Sequence, residues 1–549
     1  MGAATLIFAV MYLNHSFEQT VGKGRLTQDL LSGFFAGLLS RCSAGLLRLL
    51  LTILILFVTV FELDAQDQPY VHHTERLQDS GKTESVKSMQ DFLRKGQFFG
   101  HSRYFFMATD NADGLTDYFA NAVGFGIGYE TGKFKGFQLG ISGYAIYHLG
   151  SSDLSNVDAL SNQPNRYELG LFDVADPKNL TELDRLEDLY VKYSGSKYQM
   201  KIGKQHIKTP FINPQDGRMR PTLVRGVLAN YRVLPKWMVQ VGGIDQISPR
   251  STVHWHRVSE SLGLYGVGVN PDGTKSLYKG NVVDSYVGFL GLEGGSESVK
   301  WKFWDQVMPG VFNTTLVQFD GARALNGRNR VNAQSNSSDL RGLKQVEANQ
   351  TGKSSRPELQ LDYGVQWITQ QSMGYGGNED QSKTYFGEKN RSVVFGMRAG
   401  VSLPKRWKLG GNYTRITAHG RYLMPREWGR DPFFTFMPRE RNEGYGDVHA
   451  FTLVYSKQVQ RVRGLSVDLS YGRFYLPDVK NYAMNKYGFP AYQQGNVDVR
   501  YRFAGFLSGL DLQFLMVVKN ALGSTYDLPK YEINKVNLTH LNLILNYHF

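Results

Sequence analysis

Val536-Asn537-Leu538-Thr539-His540-Leu541-Asn542-Leu543-Ile544-Leu545-Asn546-Tyr547-His548-Phe549 is the stretch that decides the fold. Leu541, Leu543, Leu545, Tyr547 and Phe549 fall on one side of an extended chain. His540, Asn542, Ile544, Asn546 and His548 fall on the other. A period of two gives a pleated strand one apolar face and one mostly polar face. Such a strand suits either a soluble sandwich or a membrane barrel. Ending on an aromatic, the stretch resembles the closing strand of an outer-membrane barrel, which is the reading expected here.

Composition agrees with that choice. The 549 residues hold 59 Gly, 31 Tyr and 33 Phe, and mean hydropathy is negative. A helical membrane protein needs apolar runs of about 20 residues, and none follows Phe61. Barrel strands show lipid only every second residue, so their signal is weaker and spread along the chain.

Four segments are expected. Residues 1–37 include a second apolar stretch, Ala3 to Leu13, and read as an extension from an upstream start site. Residues 38–65 read as a signal peptide, with Arg41 and Arg48 before the apolar run Leu49 to Phe61 and Leu63-Asp64-Ala65 ahead of the cut; an uncleaved anchor is the alternative. Residues 66–97 are a polar periplasmic lead-in, and 98–549 form the barrel. The one cysteine, Cys42, precedes the expected cut. The exported chain then lacks thiols, which suits an oxidising compartment and excludes thiolate metal sites.

Alternating runs recur along the barrel segment. Leu189, Val191 and Tyr193 lead through Ser194-Gly195-Ser196 to Tyr198, Met200 and Ile202, a hairpin pattern. Leu234-Pro235-Lys236 and Leu403-Pro404-Lys405-Arg406 read as tight turns before Trp237 and Trp407, which suit a membrane interface. The count is about eighteen strands in an antiparallel up-and-down barrel. Short turns alternate with long loops, such as 246–281 and 418–446. Arg323 to Arg356, rich in Asn, Ser, Gly and Arg, falls on the short-turn side. It is either an inserted loop or a sign that the strand count slips there.

Parity then assigns the lumen. If Val497, Val499 and Tyr501 face lipid, Asp498, Arg500 and Arg502 face inward, and by the same rule so do Arg398, Lys408, Lys201 and Lys192. An Arg or Lys turned to lipid at mid-membrane costs about 2–4 kcal/mol, which enforces the assignment. Together these residues suggest a basic track for carboxylates or phosphates. The net charge of +13 either lines such a pore or spreads over loops facing anionic lipid.

Three stretches carry a resemblance. Gly203-Lys204-Gln205 through Asp216-Gly217-Arg218, counted as the third long loop, is one. Ala108-Thr109-Asp110-Asn111 with Gly114-Leu115-Thr116-Asp117-Tyr118 is the second. Pro425-Arg426-Glu427-Trp428-Gly429-Arg430-Asp431-Pro432-Phe433-Phe434-Thr435-Phe436, in the seventh loop, is the third. Jointly they resemble the OprD-like substrate-specific porins, in the form found among Bacteroidetes-type bacteria. The resemblance runs from about residue 95 to the C-terminus. It implies a monomeric eighteen-stranded barrel narrowed by inward-folded extracellular loops, with a ladder of basic residues leading carboxylate-bearing solutes past an acidic patch. Carried over, Asp216, Arg218, Arg220, Arg426, Glu427, Arg430 and Asp431 become constriction candidates. The Arg323–Arg356 segment departs from the family pattern. A salt-bridged Arg426–Arg441 loop that only keeps itself folded is the competing reading.

Other chemistry is poorly supported. No dense basic helix or Cys/His module argues for nucleic acid. His254-Trp255-His256 lacks a carboxylate set for a metal, Gly266–Gly268 and Gly374–Gly377 lack the setting of a phosphate loop, and no catalytic set stands out. The expected function is passive diffusion of small carboxylate-bearing or zwitterionic solutes, without cofactor or turnover. Expected partners are outer-membrane lipid, the solutes, and the barrel-assembly machinery acting on the Phe549 strand, with the barrel a monomer or trimer. The alternative is a structural or partner-docking barrel with a plugged lumen.

Overall fold

Residues 85–215, 217–296, 298–325 and 358–549 are described in a computed structural model. Eighteen strands among them form one closed antiparallel barrel. In chain order they are β1 (Gln97–Asp110), β2 (Tyr118–Glu130), β3 (Phe137–Ser151), β4 (Arg185–Ser194), β5 (Tyr198–Gln205) and β6 (Leu223–Leu234). There follow β7 (Trp237–Ser248), β8 (Val287–Gly295), β9 (Val299–Met308), β10 (Phe312–Ala324), β11 (Gln360–Ser372) and β12 (Arg391–Leu403). The last six are β13 (Trp407–Ile416), β14 (Val448–Gln458), β15 (Leu465–Tyr475), β16 (Tyr492–Arg502), β17 (Leu510–Ala521) and β18 (Leu538–His548).

Each strand pairs with its sequence neighbours, and β18 returns to β1, with Ala108 opposite Leu541 and His101 opposite His548. Closure leaves no strand edge whose peptide groups would face hydrocarbon unpaired. Phe549 completes the seam: its backbone N–H donates to the Gly100 carbonyl and its carbonyl accepts from the Gly100 N–H, each at 3.1 Å. No helix among the described residues is long and apolar enough to cross a membrane.

Connections alternate as expected, short at one rim except for 325–359 and mostly long at the other, so the long-loop rim is the outer one. Loop 206–222 is the third and loop 417–447 the seventh on that side, matching their counted positions. Two loop boundaries move by a few residues: the fourth loop runs 249–286 rather than 246–281, and the seventh 417–447 rather than 418–446. The Arg323–Arg356 segment lies mostly outside the described residues. The strands flanking it pair directly, Arg323 opposite Leu361, so the alternation holds across it. The supposed start-site extension and signal peptide also lie outside. Of the lead-in, a two-residue strand Ser85–Val86 and a short helix α1 (Met89–Arg94) are described; Ser88 caps α1 by accepting the Asp91 N–H at 3.0 Å.

The apolar face of each strand points outward, leaving Phe125, Ile127, Leu189, Val191 and Trp367 exposed for lipid. The inward face is not uniformly polar. Trp304, Leu316, Ile368, Val394 and Ile416 line its upper part in a continuous patch and are buried under loop residues such as Tyr422, Met424 and Phe433. Ile544, on the mostly polar side of the closing strand, joins a similar patch under Leu169, Leu171 and Phe172. Simple alternation misses this, because an inward residue beneath a docked loop sees protein rather than water.

Candidate functional site: a loop-built constriction

The third, fourth and seventh loops interlock inside the barrel. In the third, the Thr209 hydroxyl and carbonyl-directed bonds with Ile212 make a tight turn, which buries Phe211 and Ile212. Asn213 then clasps the seventh loop. Its backbone N–H donates to the Trp428 carbonyl at 3.0 Å, its side-chain amide donates to the Arg430 carbonyl at 3.1 Å, and its amide oxygen accepts the Arg430 N–H at 3.0 Å. The buried Trp428 indole donates to Ser261 of the fourth loop at 3.0 Å. Gly429 allows the close approach: its φ is 153°, and a Cβ there would stand 2.7 Å from Asn213.

Within this body the arginines outnumber their partners. Arg218, Arg250, Arg439 and Arg441 are buried or nearly so. They hydrogen-bond to oxygens that carry no charge. Arg218 reaches the Gly217 carbonyl at 2.7 Å, and Arg439 the same carbonyl at 3.2 Å and Asn542 at 2.7 Å. Arg250 and Arg441 both donate to the Gln215 amide oxygen. None of the four has a carboxylate within 4 Å among the described residues. Nε of Arg218 and Arg439 and one terminal nitrogen of Arg441 meet no acceptor. Burial, reinforced by the neighbouring arginines, lowers Arg218 to about 9 and Arg250, Arg439 and Arg441 each to about 10. All four remain cations at neutral pH.

The carboxylates of the seventh loop are spent differently. Glu443 pairs with Arg426, whose guanidinium also lies 4.0 Å over the Tyr487 ring. Glu427 accepts the Gly263 and Tyr265 N–H groups at 3.0 and 3.1 Å, and burial raises its pKa. Glu440 pairs with Arg166 at 3.0 Å and Lys519 at 2.9 Å. It ties the loop to the second loop and to β17. Asp431 accepts the Asn442 N–H at 2.9 Å; burial lifts it to about 6, against the pull of Arg441.

The candidates from sequence therefore separate. Arg218 joins the arginine cluster. Arg220 is fully buried beside the wall, donating to the Leu183 carbonyl at 3.1 Å. Arg426, Glu427 and Asp431 are held inside the interlocked loops, and Arg430 alone is exposed, with Phe436 at 5.5 Å. Asp216 lies outside the described residues. Arg250, Arg439 and Arg441 were missed as constriction candidates. Arg439 and Arg441 bracket Glu440 in sequence, but only the fold brings them to Gln215 and Gly217.

On the wall, all six track residues share the inward parity. Five carry a carboxylate. Arg398 pairs with Asp320 at 2.7 Å, Lys408 with Asp362 at 3.3 Å, Arg500 with Asp498 at 2.8 Å and Arg502 with Asp511 at 3.3 Å. Lys192 pairs with Glu130, which also accepts the Tyr190 hydroxyl at 2.6 Å. Lys201 lies 3.7 Å over the Tyr190 ring. Five of the six track residues are thus ion-paired, whereas the arginines without a carboxylate within 4 Å among the described residues lie in the loops. No group of three or more metal-ligating side chains occurs among the described residues.

No protein-family model and no curated protein matches the chain. Solved structures do. Acinetobacter baumannii OccAB3 superposes with a TM-score of 0.61 at 13% identity, over 83% of this chain and 100% of that one. Pseudomonas aeruginosa OccK9 (OpdG) gives 0.60 at 15%, over 83% and 99%. P. aeruginosa OpdK, solved with vanillate, gives 0.59 at 14%, over 83% and 99%. These neighbours are OprD/Occ porins, and they lend no support to the narrower Bacteroidetes-type form. Over 83% of its length, the chain thus has the fold of the OprD/Occ porins.

Proposed function

We propose that the protein is an outer-membrane porin that passes small carboxylate-bearing or zwitterionic solutes by passive diffusion. One observation carries the reading: four arginines converge on Gln215 and Gly217 with no carboxylate within 4 Å among the described residues. An anion entering the loops meets donors already oriented and only partly satisfied, and an Arg fork can pair with a carboxylate through two parallel bonds. Below it, the wall pairs Arg398–Asp320 and Arg500–Asp498 keep the path wet while offering both signs of charge. A solute can then exchange partners without being trapped. Residues 38–65 would direct export, 66–97 would form the periplasmic lead-in, and the β18 strand ending in Phe549 would be the signal read by the assembly machinery.

Liposome swelling with the purified chain tests the solute class. Small dicarboxylates and amino acids should enter faster than neutral sugars of equal size, and equal rates across the panel would contradict the proposal. The dense bonding between the third and seventh loops favours one alternative, a barrel whose lumen is closed and whose loops dock a partner. Absence of swelling with every solute would support that alternative.

A further inference from the structure

The outer surface of β12–β15 carries a groove of about 480 Å³ lined mostly by outward-facing side chains. Its floor is small: Ala399 lies opposite Gly411. Its walls are large, with Met397, Tyr413, Phe451 and Leu453 on the flanking rows. Phe451 and Leu453 are each about half exposed, so the groove is open to whatever surrounds the barrel. A Cβ at Gly411 would meet only Leu453 at 3.6 Å and the Thr452 carbonyl at 4.0 Å, so the space above it is unfilled.

At its upper end the groove meets a charge. Arg473 stands opposite Phe451, two residues from the outer end of β15, and faces outward. Its Nε donates to the Tyr471 hydroxyl at 2.9 Å, which donates to Gln493 at 2.8 Å. No carboxylate lies within 4 Å of Arg473 among the described residues. The neighbouring outward Arg415 is already neutralised, by Asp447 at 2.6 Å and by the carbonyls of Ile416 and Val448. His449 shares a 2.9 Å hydrogen bond with Tyr413. Arg473, with no carboxylate within 4 Å among the described residues, thus sits near the outer rim of the barrel, beside an apolar groove on its outward face.

We propose that this groove is a lipid-binding site. An acyl chain lies over Ala399 and Gly411, and a phosphate of a phosphorylated glycolipid in the outer leaflet pairs with Arg473. An arginine near the interface costs little by itself, and its planar fork suits phosphate oxygens. The site rests on the barrel lying in an outer membrane, not on what passes through the lumen.

Native mass spectrometry of the full folded chain in detergent, titrated with bisphosphorylated lipid A and with its dephosphorylated form, tests the site. Wild type binds the phosphorylated form in preference. Arg473→Gln weakens it about fivefold, the change that about 1 kcal/mol per surface cation gives. Gly411→Leu, which fills the floor, weakens both forms. Lys457→Gln, an outward cation near the opposite rim, leaves binding unchanged. Heat-modifiable mobility on gels verifies that each variant is folded; should Gly411→Leu fail to fold, Arg473→Gln decides alone. Equal binding of the two lipid A forms by wild type, or unchanged binding by folded Arg473→Gln, overturns the proposal.

Discussion

Asp431 is the carboxylate best placed to tune the proposed constriction with pH. Burial lifts it to about 6, so its negative charge is present at pH 7.5 and lost at pH 5. Acidification therefore makes the loops more positive. The anion-to-cation permeability ratio should rise about twofold to fivefold between those pH values, as expected for one charge acting across a wet path. Asp431→Asn should abolish the step, which reversal potentials at the two pH values would reveal. The native loop also gains stability as pH falls through this window, because its carboxyl binds a proton more readily than in the unfolded chain. Arg439→Gln and Arg441→Gln should act the other way on selectivity, each lowering the anion preference about twofold to fivefold at pH 7.5. Sequence marked Arg218, Asp431 and their neighbours because they lie in recognisable stretches. Arg250 carries no local signal, since its role depends on Gln215, 35 residues earlier and in another loop.

The interlocked loops act as a unit through few contacts. Asn213 makes three bonds to the Trp428–Arg430 backbone, and Gly429 is the residue that lets the two loops meet. Gly429→Ala places a Cβ against Asn213 and should destabilise the clasp by about 1–3 kcal/mol, visible as noisier single-channel currents than wild type with the barrel itself intact. Glu440 is a second bolt. Burial opposes its ionisation, but Arg166 and Lys519 together hold its pKa well below the ordinary carboxylate value of 4.5. Its contribution is complete above that value and is lost on acidification through the lower folded pKa. Glu440→Gln leaves Lys519 buried without its partner and should cost about 3–5 kcal/mol, read as a lower temperature of the gel-mobility transition. The strands themselves were legible because lipid forces a period of two on every one. The loop contacts were not, because a bond between residues 213 and 430 leaves no local trace in either stretch.

At the scale of the whole molecule, one closed sheet accounts for the length, the high glycine and aromatic content, and the weak average hydropathy together. The third and seventh loops could be placed by counting, since each strand reverses the chain and each long connection returns to the same rim. The apolar patches inside the upper lumen could not. Leu316, Ile368 and Val394 satisfy the inward parity while breaking its polar rule, and only the docked loops explain them. The ion-paired state of the wall was equally hidden, because Arg398 and Asp320 lie 78 residues apart and meet only across β10–β12. The proposed function requires a solvated passage bearing excess positive charge. Single-channel recording of the purified chain in a planar bilayer under a tenfold KCl gradient tests it most directly. Stepwise conductance with a reversal potential displaced toward that of chloride is expected; a silent bilayer, or a reversal potential displaced toward that of potassium, would contradict such a passage.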